Sequence, residues 1–230
     1  MESSSIAQNL ININAQITDI AARHNRNPNH IQLLAVSKTK PVSDIITAYE
    51  SGQRIFGENY VQEGVDKINE LSAYKDVLWH FIGPLQSNKS KFVAENFDWM
   101  HSVDRLKIVK RLHDQRSPHK KPLNICVQIN IDDEDSKAGI SANEAVDFIA
   151  EVQKFERIKC RGLMTIPKAD VPEAKRRTSF AKMQQLFLQC TEKFEQFDTL
   201  SMGMSGDLDL AIEYGSTMVR VGTAIFGSRQ

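Results

Sequence analysis

Apolar residues recur every three or four positions over the first 26 residues, which is the spacing of an amphipathic helix. The stripe consists of Ile6, Leu10, Ile13, Ile17 and Ile20. It ends before Asn27-Pro28, where a proline interrupts helical geometry. The pattern predicts an N-terminal helix over 1–26 that packs on the domain following it.

Beyond this helix, short apolar runs rich in β-branched and aromatic residues predict eight strands. They lie at 33–38, 55–58, 79–83, 99–103, 123–130, 158–165, 199–204 and 218–222. Helix-like segments separate them, at 42–52, 60–73, 87–96, 104–114, 141–155, 173–196 and 207–215. Because parallel neighbours need helical crossovers, this alternation predicts an α/β fold, a single (β/α)8 TIM barrel domain over 1–230. A doubly wound open sheet is the alternative.

Charge and cysteine content narrow the class of protein. Lys plus Arg and Asp plus Glu both number 29, so no basic excess favours nucleic acid or an anionic membrane as a partner. Cys126, Cys160 and Cys190 are odd in number and lack C-x-x-C spacing, which indicates reduced thiols. With no signal-peptide pattern and no long apolar run, we expect a cytoplasmic protein.

Histidine spacing gives no support for a metal site. His80 and His101 fall inside predicted strands, and neither belongs to a pattern of closely spaced metal ligands. We expect both to be hydrogen-bonded interior histidines.

The stretch "LLAVSKTKP" at 33–41 runs from a buried strand directly into Lys38. A lysine withdrawn from water has a lowered pKa, and its neutral amine can attack a carbonyl carbon. In a barrel, residues that follow strands lie at the catalytic face. Lys38 is therefore either a chemical residue or a solvent-exposed lysine at a strand end.

Two loops near the C-terminus have the composition of a phosphate site. "GMSGDL" at 203–208 and "VRVGTAIFG" at 219–227 follow the last two predicted strands, where barrels often bind phosphate. Ser205 and Thr223 supply hydroxyls, and Gly206 and Gly222 allow close approach of the backbone. Ordinary turn and N-cap residues are the alternative interpretation.

Arg220 lies between Val219 and Val221, so strand alternation directs it away from its apolar neighbours. If it faces the barrel mouth, its guanidinium can donate to a ring nitrogen or an anion. The alternative is a surface arginine paired with a helix carboxylate.

A resemblance to a known family joins these features. "LLAVSKTKP", "FGENYVQE", "WHFIGPLQSNK", "VQIN", "SKAG", "RGLM", "LSMGMSGD" and "GSTMVRVGTAIFG" span 33–227. In these stretches the chain resembles the YggS/PLPBP family of pyridoxal phosphate homeostasis proteins, whose barrel is similar to the N-terminal domain of alanine racemase. The resemblance implies that pyridoxal 5'-phosphate is the cofactor.

The same resemblance implies a role for each candidate residue. Lys38 would form the Schiff base with the cofactor aldehyde, and Arg220 would lie beside the pyridine nitrogen. The residues implied to hold the phosphate or line the ring are Ser205, Gly206, Gly222, Thr223, Asn59 and Met164.

Three functions are compatible with these residues. The family implies a non-catalytic carrier, which serves vitamin B6 and amino-acid homeostasis and supplies PLP-dependent apoenzymes. Because the sequence ends at Gln230, soon after strand 8, we expect no second domain over the cofactor, little catalysis and a monomer. The alternatives are a small amino-acid racemase, with Lys38 and Lys137 as bases, and a cofactor-free aldolase using Lys38.

Overall fold

The strands close into a barrel. In the computed structural model, which describes residues 5–133, 138–168 and 170–228, the sheet runs in chain order from β1 to β8. All pairs are parallel, and β8 returns to pair with β1. This confirms the predicted (β/α)8 barrel and excludes the open sheet. Lys137, considered above as a second base, lies outside the described residues.

Helices alternate with the strands along the chain. The strands are β1 Gln32–Val36, β2 Ile55–Glu58, β3 Leu78–Phe81, β4 Trp99–Val103, β5 Leu123–Gln128, β6 Ile158–Met164, β7 Thr199–Ser201 and β8 Met218–Val221. The α-helices are α1 Ile6–Arg23, α2 Val42–Glu50, α3 Val61–Glu70, α4 Ser90–Asn96, α5 Leu106–Gln115, α6 Ala145–Val152, α7 Glu173–Thr191, α8 Leu208–Glu213 and α9 Thr223–Phe226. None of the described helices is both long and apolar enough to cross a bilayer.

Six strands end one to three residues earlier than their sequence predicts, and at the ends of β7 and β1 the chain turns. β7 stops at Ser201 because Gly203 adopts a φ of 102°, where a Cβ would lie 2.5 Å from that of Ala211. β1 stops at Val36, after which the Lys40 amide donates to the Ser37 carbonyl at 3.1 Å. Both early ends form loops at the carboxyl face of the barrel, where we expected function.

The N-terminal helix covers one flank of the barrel. Ser5 caps α1 by accepting from the Gln8 amide at 3.2 Å. Most of the predicted apolar stripe is buried, and the helix contacts α2, α8 and α9. Asn9 also donates to the Ile225 carbonyl at 2.8 Å, which ties α1 to α9 next to β8.

The inside of the barrel contains a chain of polar side chains. Arg220 Nη1 lies 2.7 Å from Ser201 Oγ, which lies 2.9 Å from His101 Nδ1. His101 Nε2 in turn lies 2.9 Å from His80 Nδ1. All of these residues are buried. The prediction that His80 and His101 are hydrogen-bonded interior histidines is confirmed.

Burial keeps both histidines in this hydrogen-bonded chain uncharged. Burial lowers the pKa of His80 to about 3 and, with the nearby charge of Arg220, holds that of His101 well below its usual range. Both rings are therefore neutral at pH 7. Ser201 Oγ accepts from Arg220, and hydrogen bonds join it to His101 and His101 to His80. The chain therefore links the charged guanidinium to two neutral rings.

These neutral histidines predict acid sensitivity. The unfolded chain takes up protons on His80 and His101 below about pH 6.5, whereas the folded protein does not. The free energy of unfolding should therefore fall as pH drops from about 7 to about 5, by up to about 1.4 kcal/mol per pH unit for each histidine. Urea unfolding at several pH values measures this slope. His80→Gln should flatten it, whereas the exposed control His119→Gln should not; an unchanged slope in His80→Gln would contradict the assignment.

Candidate functional site

Lys38 lies at the carboxyl end of β1 and is half-buried. The Ser37 amide still pairs with β2, donating to the Gly57 carbonyl at 3.0 Å. Ser37 turns its hydroxyl outward to Glu58, at 2.5 Å, so alternation directs Lys38 to the barrel axis. A lysine on that side can reach a ligand bound at the mouth of the barrel.

Asn59 follows β2, next to Lys38 on the same rim. Its Oδ1 is buried and has no hydrogen-bond partner among the described residues. Since buried carbonyl oxygens in proteins nearly always have a donor, this atom has capacity for a ligand hydroxyl.

Arg220 is buried in β8 and faces inward, which excludes the surface arginine considered above. Besides Ser201 Oγ, its Nη1 donates to the Ser201 carbonyl at 2.8 Å, and Nη2 donates to the Thr165 carbonyl at 2.9 Å. Burial lowers its pKa to about 10, so the group stays charged at neutral pH. A guanidinium carries more N–H groups than these bonds use, and the remainder can bind a ligand.

Met164 ends β6 and is buried inside the barrel. It packs with Trp99 and Cys126 in a small apolar cluster, separate from the main core between strands and helices. The interior of the barrel is therefore part apolar and part polar, which suits a flat aromatic ring with polar substituents.

The loop after β7 is shaped by its own carboxylate. Asp207 Oδ1 accepts from the Met204 amide at 2.5 Å and closes a turn over 204–207. Ser205 and Gly206 are exposed at its tip, and a Cβ added at Gly206 would meet nothing within 4 Å. Among the backbone hydrogen bonds of the described residues, none is donated by the N–H group of Ser205 or of Gly206. These groups and the Ser205 hydroxyl are available to an anion.

The loop after β8 leads into the short helix α9. Gly222 precedes the helix, and Thr223 is its exposed first residue. The amides of Thr223 and Ala224 belong to the first helical turn, which leaves them without intrahelical acceptors. Backbone pairing holds the two loops together, since the Arg220 amide donates to the Gly203 carbonyl at 2.9 Å.

The lysine and the two loops meet at one rim of the barrel. A Cβ added at Gly222 would lie 3.2 Å from the Val36 carbonyl oxygen, so this backbone packs against β1 just before Lys38. Lys40 Nζ donates to the Ser228 carbonyl at 2.9 Å, which ties the loop after β1 to the segment after α9. Lys38 and the two loops thus follow β1, β7 and β8, which are consecutive strands around the closure of the barrel.

The partners of Arg220 are not singled out by sequence motifs. Arg220 contacts Ser201 and the Thr165 carbonyl directly, and Ser201 links it to His101. These contacts form only because four strands face the same interior. Polar residues at inward positions of otherwise apolar strands are the one signal that could have found them.

A cavity of about 680 Å³ lies elsewhere. It is lined by residues at the starts of the strands, including Gln32, Ile55, Leu78 and Trp99. It therefore opens at the amino end of the barrel, the face associated with stability rather than catalysis. We place the functional site by its chemistry at the carboxyl end.

Among the described residues, one group of possible metal ligands lies outside the barrel. His24, Asp209 and Glu213 come together there. The carboxylate of Asp209 pairs with Arg23 at 2.7 Å, and that of Glu213 pairs with Arg177 at 2.8 Å. Both carboxylates are thus already neutralised by arginines, away from the rim that carries Lys38.

Comparison with solved structures relates this fold to known barrels. The structure of PipY from Synechococcus elongatus PCC7942 without PLP superposes with a TM-score of 0.86 at 35% identity, covering 97% of this chain and 100% of that one. The PipY structure with PLP bound gives a TM-score of 0.83 at 34% identity, with the same coverage. An alanine racemase from Clostridium difficile shares the fold, with a TM-score of 0.73 at 18% identity, and the match covers 56% of that enzyme.

Sequence comparison also relates the chain to alanine racemase-like barrels. Residues 8–230 match the family model for the alanine racemase N-terminal domain. The chain is 52% identical over 227 residues to the pyridoxal phosphate homeostasis protein of Pasteurella multocida, covering 97% of each. Identity to the protein of the same name from Escherichia coli K12 is 50% over 226 residues, again covering 97% of each. The chain therefore belongs to the family of pyridoxal phosphate homeostasis proteins, which is built on the alanine racemase-like barrel.

Proposed function

We propose that this protein holds pyridoxal 5'-phosphate as a Schiff base on Lys38 and serves vitamin B6 and amino-acid homeostasis without catalytic turnover. The observation that carries the proposal is the meeting, at one rim, of an inward lysine, a buried charged arginine and two loops with unused N–H groups. The names of the relatives and the PLP-bound PipY structure support it.

The two loops fit the phosphate of this ligand. Ser205 and Thr223 offer hydroxyls, the backbone around Gly206 and Gly222 offers N–H groups, and the space beside Gly206 is open. Anchoring the phosphate between β7 and β8 would leave the aldehyde within reach of the neighbouring strand β1. Lys38 is the lysine that β1 presents there.

The interior residues fit the ring. Arg220 has N–H groups left for the pyridine nitrogen, and Asn59 Oδ1 can accept from the ring hydroxyl. Met164 would pack against the ring as an adaptable apolar contact. When bound, pyridoxal phosphate supplies a reactive aldehyde and an electron-withdrawing ring.

Arg220 would make a bound ring a weaker electron sink, which is compatible with a holding role. A guanidinium can only donate, so it favours an unprotonated ring nitrogen. An unprotonated ring withdraws electrons less strongly, which weakens carbanion stabilisation at an amino-acid substrate. The relatives are named homeostasis proteins, and this name supports the same conclusion.

The proposal extends to the protein's partners and location. We propose a cytoplasmic monomer that hands pyridoxal phosphate to PLP-dependent apoenzymes. Cys126, Cys160 and Cys190 are free and buried, as expected for a reducing compartment.

Absorbance spectra of wild type and Lys38→Ala test the central role of Lys38. Wild type mixed with pyridoxal phosphate should show the visible band of a Schiff base. Lys38→Ala should lose that band and keep its fold, since a half-buried lysine at a strand end contributes little packing. Incubation with an L-amino acid should give no D-isomer and no decarboxylation.

Three outcomes would contradict parts of this account. A full band in Lys38→Ala would mean that another lysine binds the aldehyde. Racemisation by wild type would favour the racemase alternative. Failure of wild type to form a band under any condition would remove the cofactor and return Lys38 to the aldolase hypothesis.

A double variant tests the phosphate loops. Ser205→Ala with Thr223→Ala should weaken retention of pyridoxal phosphate, because each hydrogen bond to a charged group contributes roughly 1.5–3 kcal/mol. Equilibrium dialysis with the ligand measures the dissociation constant. The matched control is Thr47→Ala, which alters an exposed threonine in α2 and should leave the constant unchanged. An unchanged constant in the double variant would remove the phosphate assignment.

A further inference from the structure

A buried ammonium group lies on the outer side of the Lys38 loop. Lys67, in α3, has a side chain only 7% exposed. Its Nζ donates to the Ser37 carbonyl at 2.7 Å, to Glu58 Oε1 at 2.9 Å and to Glu63 Oε1 at 2.7 Å. The ammonium protons therefore all have acceptors, and one acceptor is the backbone immediately before Lys38.

The same two carboxylates bind both neighbours of Lys38. Ser37 Oγ donates to Glu58 Oε1 at 2.5 Å, and the Thr39 amide donates to Glu63 Oε1 at 2.5 Å. Lys67 bridges the two glutamates. The chain before Lys38 and the chain after it are thus fastened to one ionic cluster.

The residue after Lys38 needs this support. Thr39 has a φ of 62°, in the left-handed region that a β-branched side chain rarely adopts. Strained backbone of this kind persists where surrounding contacts hold it, and it concentrates at functional sites. The Glu63 carboxylate supplies such a contact at the Thr39 amide.

Stability alone gives little reason for this cluster. Buried ion pairs often contribute no more than well-packed apolar residues would, because both charges lose their hydration. Burial raises the pKa of Glu58, which shows that desolvation opposes its charge. Its Oε2 is also buried without a partner among the described residues. The consistent feature of the cluster is that its bonds end on residues 37 and 39.

We propose that Lys67 is a positioning residue, which acts through Glu58 and Glu63 to fix the backbone of residues 37–39. This aims the Lys38 amine at the barrel axis for covalent capture of an aldehyde ligand. The inference rests on the proposed function of Lys38. The bond that forms on capture is an imine. The Lys38 nitrogen attacks the aldehyde carbon, and the aldehyde oxygen leaves as water. Holding the amine in place should speed this step more than it strengthens binding of the ligand.

The test separates capture from binding. Stopped-flow absorbance with pyridoxal 5'-phosphate measures the rate of Schiff-base formation. Binding of pyridoxine 5'-phosphate, which has an alcohol in place of the aldehyde, measures the site without the covalent step. Glu63→Ala and Lys67→Met should slow capture at least tenfold, and pyridoxine 5'-phosphate affinity should stay within about twofold.

Two control variants distinguish positioning of the Lys38 backbone from a general contribution to the stability of the fold. Glu63→Gln keeps an oxygen for the Thr39 amide, so its capture rate should stay near that of wild type. Glu70→Ala removes an exposed carboxylate from the same helix and should change nothing. In the protein without ligand, Thr39 amide exchange should be at least tenfold faster in Glu63→Ala than in Glu63→Gln.

The outcomes distinguish the two proposals. If wild type itself forms no Schiff base, the proposed function fails. If wild type forms it and Glu63→Ala captures at the same rate, the positioning role fails while the function stands. An equal loss of capture and of pyridoxine 5'-phosphate affinity would also overturn positioning, because it would indicate general disruption. If Lys67→Met does not fold, Glu63→Ala still tests the positioning role, because the Glu63 side chain is 27% exposed and so is less buried than that of Lys67.

Discussion

Alternation of side chains along a closed parallel barrel is the constraint on which this structure depends. Each strand sends one residue to the interior and the next to the surrounding helices. Lys38 therefore faces the axis while Ser37 faces α3. The inward direction of Lys38 and the contacts of Ser37 with Glu58 and Lys67 are both consequences of this alternation.

The interior differs from an ordinary barrel core. The large apolar cluster fills the layer between strands and helices, whereas the described interior includes the small cluster of Met164 and Trp99 with Cys126. Next to it lies the buried guanidinium of Arg220, which requires hydrogen-bond acceptors. Ser201 and Thr165 supply them, and the histidines extending the chain stay neutral, so they add no second positive charge beside the arginine.

Much of the fold follows from local sequence. Strand runs and helical stripes give the barrel, and its closure puts Lys38 and the loops at Ser205 and Thr223 on one rim. Strand ends are harder to predict. β7 ends at Ser201 because of the left-handed Gly203, and the apolar run 199–204 does not show that turn.

Sequence patterns do not predict which side chains of different helices and strands contact each other. His80 meets His101 because of the register of β3 against β4, which no single strand encodes. Lys67 is a charged residue on the buried side of α3, near Gly64 and Val65. A lysine in that position signals a buried partner, but only the packing of α3 on β2 shows that the partners flank Lys38.

The central claim is that Lys38 is the amine that holds pyridoxal phosphate. Borohydride reduction of the protein with this ligand, followed by peptide mass spectrometry, tests it most directly, because reduction fixes the bond to one residue. The account predicts the added mass on Lys38 alone. Mass on Lys40, whose Nζ is bound to the Ser228 carbonyl, or on any other lysine in place of Lys38 would contradict it.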